Sequence, residues 1–159
     1  MPFDDDRFRI AAARLEDYRD CLAFLNERGQ DLLRSGELEY RDALFQARLM
    51  DRTRTRISII RERDTRQMVA VALLMVSYDW RKGVGSVEYV LVDTDFRGCG
   101  LGRVVMEDLL AQAREVRPRL SVIRLVSEPW HEAARALYQK LGFTLVDGSD
   151  RHFELRLQH

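Results

Sequence analysis

Cysteine, proline, glycine, lysine and net charge are all in short supply in this chain of 159 residues. Two cysteines, Cys21 and Cys99, cannot build the disulfide framework of a small secreted scaffold. They form no CxxC pair, and His131, His152 and His159 are scattered, so no metal is expected. Three prolines and nine glycines are too few for a collagen-like or low-complexity chain. The 26 Lys+Arg cancel the 26 Asp+Glu, which excludes a strongly basic nucleic-acid binder and an acidic tail protein. The longest apolar run, Met68 to Val76, falls far short of the roughly 20 residues that cross a bilayer, and no membrane partner is expected. The opening Met-Pro-Phe-Asp-Asp-Asp-Arg is acidic, unlike a secretory signal, and a cytoplasmic setting is the expectation.

What remains is material for one folded domain. The hydrophobic share is 46%, and the length suits a single core. Residues 1–6 read as a flexible leader and 7–159 as one domain. Every basic residue except Lys82 and Lys140 is arginine, whose forked donors suit phosphate, so the placement of arginines matters more than their number. Seven of them crowd residues 48–66 against Asp51, Glu62 and Asp64. Without interleaved aromatics that stretch reads as a solvated strand face, and nucleic acid is not an expected partner.

Periodicity sets the element order. Arg7 to Arg14 reads as a strand, Glu16 and Asp17 open a helix that stops near Gly29, and a second helical region carries Leu38, Phe45 and Leu49. From Arg52 the spacing switches to alternation, a strand signal. Met68 to Tyr78 reads as a strand covered on both faces, Asp79 to Gly85 as a turn and Val87 to Val92 as another strand. The stretch Asp93 to Arg103 runs into an amphipathic helix with Leu101, Val105, Leu109 and Ala113 on one face, ended by Pro118 and followed by a strand over Leu120 to Val126 and a helix from His131 to Leu141. Phe143 to Val146 and His152 to Leu157 close the order β-α-α-β-β-β-α-β-α-β-β. That is an α+β fold with a mixed sheet and a strand–helix–strand unit at its middle.

Arg97-Gly98-Cys99-Gly100-Leu101-Gly102-Arg103 leaves a strand and opens a helix. The first amides of a helix lack internal partners, its dipole adds positive potential there, and glycines let an anion approach the backbone. Neither the P-loop nor the dinucleotide fingerprint fits, because no Lys-Ser or Lys-Thr follows and Arg103 stands where GxGxxG needs glycine. From the loop alone, a phosphate cradle and a ligand-free tight turn both remain open.

Two stretches carry a resemblance. Arg97-Gly98-Cys99-Gly100-Leu101-Gly102 resembles the acetyl-CoA pyrophosphate motif of the GNAT superfamily of N-acetyltransferases, [Arg/Gln]-x-x-Gly-x-[Gly/Ala]. Ala134-Arg135-Ala136-Leu137-Tyr138-Gln139-Lys140-Leu141-Gly142-Phe143 is similar to that family's second signature, Ala-x-x-Leu-Tyr-x-x-x-Gly-Phe. The spacing leaves room for one helix and one strand between them, as in the family fold.

The resemblance implies a mostly antiparallel sheet of six or seven strands flanked by about four helices, with a V-shaped splay between two parallel strands. It implies acetyl-CoA as co-substrate, its pantetheine arm on the backbone of Val90, Leu91 and Val92. Its pyrophosphate would lie on the amides of Arg97, Gly98, Cys99, Gly100, Leu101, Gly102 and Arg103. Glu88 matches the family's catalytic or water-relaying glutamate, and desolvation in an apolar strand would suit it as a base. Tyr138 matches the tyrosine that protonates the departing thiolate. His131 replaces the usual asparagine that caps the following helix and touches the cofactor, so that contact must differ in geometry. The acceptor is expected to be a small-molecule amine, with Tyr78, Trp80 and Tyr89 as its contacts. A protein or peptide amine is the alternative acceptor, and a non-catalytic acyl-CoA-binding module the alternative function. Family members often dimerise, so a homodimer is compatible with the resemblance.

Overall fold

A computed structural model describes residues 3–28, 47, 51, 53–77 and 79–158. Its sheet has seven strands: β1 (Phe8–Ala12), β2 (Thr55–Glu62), β3 (Met68–Val76), β4 (Val84–Val92), β5 (Val122–Val126), β6 (Thr144–Leu145) and β7 (His152–Arg156). They lie in the order β1-β2-β3-β4-β5-β7-β6, and only the β4–β5 pair is parallel. The described residues form three α-helices, α1 (Tyr18–Arg28), α2 (Leu101–Arg114) and α3 (Glu132–Lys140). The helical region expected around Leu38, Phe45 and Leu49 lies outside the described residues.

Local chemistry explains where the elements begin. A 3-10 turn at Leu15–Asp17 leads into α1, and the Asp17 carboxylate accepts the Arg14 amide at 2.8 Å. Arg61 of β2 donates to Asp17 and Asp20 at 2.9 Å each, tying the start of α1 to the sheet. β4 starts three residues earlier than its apolar pattern suggests, at Val84. Val84, Gly85 and Ser86 are held by pairing with β3 and β5, which periodicity cannot see.

The sheet separates two cores. On one face α1 packs Cys21, Phe24 and Leu25 against Ile57, Ile59, Val71, Leu73 and Leu91. Burial there pushes the Cys21 thiol up to about 12, so it behaves as an inert apolar group at neutral pH. On the other face α2 and α3 cover a larger core that includes Leu101, Met106, Leu109, Tyr138, Phe143 and Phe153. A polar anchor sits inside this interface. Buried Ser58 of β2 donates to Asp108 Oδ2 at 2.5 Å, while Gln112 Nε2 donates to Ser58 Oγ at 2.7 Å. A satisfied network of this kind fixes the roll of α2 on the sheet, and with it the helix start. At the amino end Phe3 stacks on Phe8 with ring centroids 5.9 Å apart, and the Phe8 amide donates to the Asp4 carbonyl.

Candidate active site

The parallel ladder between β4 and β5 is short. Val84, Gly85 and Ser86 pair with Val122, Ile123 and Arg124, and the pairing ends there. From Val87 to Val92 the edge of β4 facing β5 has no strand partner among the described residues, so the two strands part. On its other edge β4 stays paired to β3, and the Asp93 amide donates to the Val69 carbonyl. Antiparallel pairs alternate between bonded and non-bonded positions. Leu91, opposite Val71, therefore turns its amide and carbonyl towards β3, whereas Val90 and Val92 turn theirs into the gap. Of the three residues expected on this edge, Leu91 does not face it.

A bulge interrupts β4 at Glu88, because Leu73 pairs with Tyr89 and Leu74 with Val87. The extra residue shifts the side-chain alternation. Val87, Val90 and Val92 pack on the α2 side, while Tyr89 and Leu91 pack on the α1 side. Glu88 lines a groove on the α1 side together with Met75 and Ser86. Among the described residues no hydrogen bond or ion pair engages its carboxylate. Glu88 is exposed, which corrects the expected desolvation: the bulge turns it out of the sheet. Tyr89 sits half-buried on the same face. Tyr78 and the side chain of Trp80 lie outside the described residues.

β4 runs into the glycine loop through Asp93. That carboxylate is buried; Oδ1 accepts the Asp95 amide at 3.0 Å and Oδ2 lies 3.5 Å from Arg28 Nε at the end of α1. It sets the 3-10 turn Thr94–Phe96 that delivers the chain to Arg97. Gly98 and Gly100 follow with φ of 81° and 75°, the left-handed region that side chains with a Cβ avoid. Gly100 is the N-cap of α2, and the first intrahelical donor is the Val104 amide. Among the described residues the amides of Cys99, Gly100, Leu101, Gly102 and Arg103 have no acceptor. Five unpartnered donors at a helix start form an anion seat.

The side chains of this loop divide by task. Leu101 is buried beneath it, so only its backbone is offered. A Cβ on Gly102 would meet Leu137 at 3.4 Å and Val92 at 3.8 Å, which places this glycine against α3 and β4. Arg97 is exposed, with no ion pair among the described residues. Arg103 is held by Glu107 at 2.6 Å one turn along α2. Cys99 is half-buried against the core.

Tyr138 projects from α3 into the α2-side core, 9% exposed, its ring edge-on to Phe143 at 6.1 Å between centroids. Burial pushes its phenol up to about 12, and no hydrogen bond among the described residues uses its hydroxyl. His131 is the N-cap of α3, but its side chain makes no cap hydrogen bond; it meets Trp130 edge-on at 6.0 Å. The capping role open to a neutral histidine is therefore not used.

The groove beside Glu88 encloses about 800 Å³ and carries residues that periodicity did not single out: Ser86, Lys82 and Arg124 among them. Their signal lies in strand register, since Ser86 and Arg124 are paired across the last rung of the parallel ladder. No group of three or more His, Cys, Asp or Glu disposed to hold a metal occurs among the described residues. Nor is any described helix long and apolar enough to cross a membrane.

This arrangement has relatives. Residues 15–143 match the family model described as acetyltransferase (GNAT) family. No curated protein matches the chain. Among solved structures, yncA from Salmonella typhimurium, determined with its cofactor acetyl-CoA, superposes with a TM-score of 0.77 at 19% identity, covering 96% of this chain and 95% of that one. An N-acetyltransferase from Staphylococcus aureus Mu50 gives 0.74 at 17% identity, covering 95% and 99%. The ribosomal-protein-S18-alanine N-acetyltransferase of Escherichia coli gives 0.66 at 19%, covering 94% and 92%.

Proposed function

This chain belongs to the GNAT acetyltransferase family, whose chemistry is acetyl-CoA-dependent acyl transfer, and from that premise we propose that it acetylates the primary amine of a small-molecule acceptor by direct attack on the thioester. One observation carries the reading. The open β4 edge at Val90 and Val92 continues into five unpartnered amides, while the bulge puts Glu88 on the opposite face of the same strand. Donor and acceptor then reach β4 from two sides and meet at the gap.

The residues present fit acetyl-CoA. The amides of Cys99 to Arg103 would hold its pyrophosphate, with Arg97 as the free cation, and the gap-facing groups of Val90 and Val92 would pair with its amide-bearing arm. When bound, acetyl-CoA supplies the activated acetyl thioester. An alkylammonium holds its proton to a pKa near 10, and only the neutral amine attacks. Glu88, unpaired and open to solvent, takes that proton directly or through one water. The nitrogen forms its bond to the acetyl carbon as the carbon–sulfur bond breaks, and the second proton that it sheds on becoming an amide passes through solvent to the departing thiolate. Tyr138, still protonated at neutral pH, donates its O–H to the departing sulfur. Because a thiol ordinarily titrates near 8.5, well below this phenol, the hydroxyl acts mainly by stabilising thiolate charge. His131 stands at the start of α3, where its ring is free of the helix amides and available to the cofactor arm.

The experiment is thiol release from acetyl-CoA across a panel of primary amines, with the acetylated product identified by mass. Turnover with small amines is expected. Glu88→Gln is expected to lower kcat roughly 10- to 100-fold, the modest end of general-base effects for an exposed carboxylate, with the KM for acetyl-CoA within twofold. Unchanged kcat removes Glu88 as the base. Acetyl-CoA binding without turnover on any amine contradicts the reading and favours a regulatory acyl-CoA-binding module.

A further inference from the structure

We propose that the acceptor is an α-amino acid, its amine taken at Glu88 and its carboxylate at Arg124; this rests on the amine-acetyltransferase reading above. The argument starts from register. Ser86 and Arg124 are partners on the last rung of the β4–β5 ladder, and Glu88 follows Ser86 two positions along β4. Ser86, Glu88 and Arg124 all line the same groove. Strands in a regular ladder stand ~4.8 Å apart and rise ~3.3 Å per residue, which would put the Glu88 and Arg124 backbones about 8 Å apart, and the parting of the strands beyond Ser86 widens that spacing. Both side chains are long enough to close that distance on a ligand whose charges sit on neighbouring carbons.

Opposite charges placed so near each other on one face ordinarily pair. These two do not. Among the described residues Arg124 pairs with Glu154 alone, across the antiparallel β5–β7 pair, at 3.8 Å with the Arg124 side chain 59% exposed. Glu88 has no partner among the described residues. The fold thus keeps a carboxylate and a guanidinium apart at the mouth of the gap.

The other charges of the groove are largely committed. Asp51 lies 3.9 Å from Arg54, which also donates to the Val76 carbonyl at 3.1 Å. Asp79 accepts the Arg81 amide at 3.1 Å. Lys82 is exposed, with no ion pair among the described residues. The charges lining the groove balance, with Asp51, Asp79 and Glu88 against Arg54, Lys82 and Arg124. A simple amine satisfies Glu88 alone, whereas an amino acid also offers a carboxylate to Arg124. Arginine's planar fork matches a carboxylate with two parallel hydrogen bonds. Binding the carboxylate at Arg124 also aims the α-amine along β4 towards Glu88 and the gap, the orientation that attack requires.

The test compares amino acids with the amines left by removing their carboxylate: phenylalanine with 2-phenylethylamine, leucine with 3-methylbutylamine, and like pairs across side-chain types. The expected kcat/KM preference for the amino acid is roughly 100-fold or more, because a site built around a charged hydrogen bond rejects a ligand lacking it. Arg124→Met should remove most of that preference, leave the decarboxylated amine within about twofold of wild type and leave the KM for acetyl-CoA unchanged. Arg124→Lys, which keeps the charge but loses the fork, should restore part of it. Equal turnover of amino acid and amine overturns the proposal while the acetyltransferase reading stands. So does an Arg124→Met loss that falls equally on both ligands, since that marks a structural role. No acetylation of any amine or amino acid, with acetyl-CoA still bound, overturns both.

Discussion

Gly100→Val is expected to weaken acetyl-CoA binding roughly 100-fold or more, because forcing a β-branched residue to a positive φ costs ~1–3 kcal/mol and each lost hydrogen bond to a charged group costs ~1.5–3. Gly100 holds φ at 75° as the N-cap of α2, and the unpartnered amides of Cys99 to Arg103 point as they do only while it stays there. Valine would relax towards negative φ and swing those amides out of convergence. Gly102→Ala is the control. Its added Cβ meets only the flexible ends of Leu137 and Val92 at 3.4 Å or more, so affinity should stay within a few-fold of wild type. Isothermal titration beside thermal unfolding separates loss of the seat from loss of the fold. If Gly100→Val binds acetyl-CoA as wild type does, the loop is not the seat.

Tyr138→Phe is expected to lower kcat roughly 100- to 1,000-fold, while the KM for acetyl-CoA changes little. The effect should exceed that of Glu88→Gln for a physical reason. The ring is buried, so a hydrogen bond from its hydroxyl to developing charge meets less water and is worth more than one at an exposed carboxylate. Removing the oxygen leaves the ring, its packing on Phe143 and its burial intact, so the fold should survive. The same burial gives a pH signature. The phenol is raised from 10.0 to about 12, so the native state binds this proton more tightly than the unfolded chain. That stability is complete below pH 10 and is lost as pH rises from 10 towards 12. Tyr138→Phe should therefore flatten the alkaline loss of stability, measured by denaturant unfolding at pH 9 and 11. Cys21, raised from 9.0 to about 12, contributes a similar loss from pH 9 upward in both proteins, so the comparison cancels it. Full kcat in the variant would remove Tyr138 from the chemistry.

The parts of the site written in contiguous residues are legible in the amino-acid sequence itself. Arg97 to Gly102 and Ala134 to Phe143 carry their spacing on a single turn or helix, where local chemistry dictates geometry. Long elements are legible too, because β3 is an unbroken apolar run buried on both faces and α2 repeats its burial over several turns. What depends on pairing is not. The bulge at Glu88 is visible only once β3 is laid against β4, and it decides that Glu88 is exposed and shares a face with Tyr89. The same register turns Leu91 away from the gap and leaves Val90 and Val92 facing it. Arg124 and Ser86, 38 positions apart in sequence, become neighbours only through the parallel ladder. Asp93 is buried between Arg28 and the Asp95 amide, a contact that joins two positions 65 apart in sequence and that local spacing does not reveal.

Residue-resolved amide hydrogen exchange, recorded with and without saturating acetyl-CoA, tests the central claim most directly. The account predicts slower exchange at Cys99 to Arg103 and at Val90 and Val92, with little change at Leu91, whose amide is already paired to Val71. Binding that leaves the Cys99 to Arg103 amides exchanging as in the free protein would contradict it.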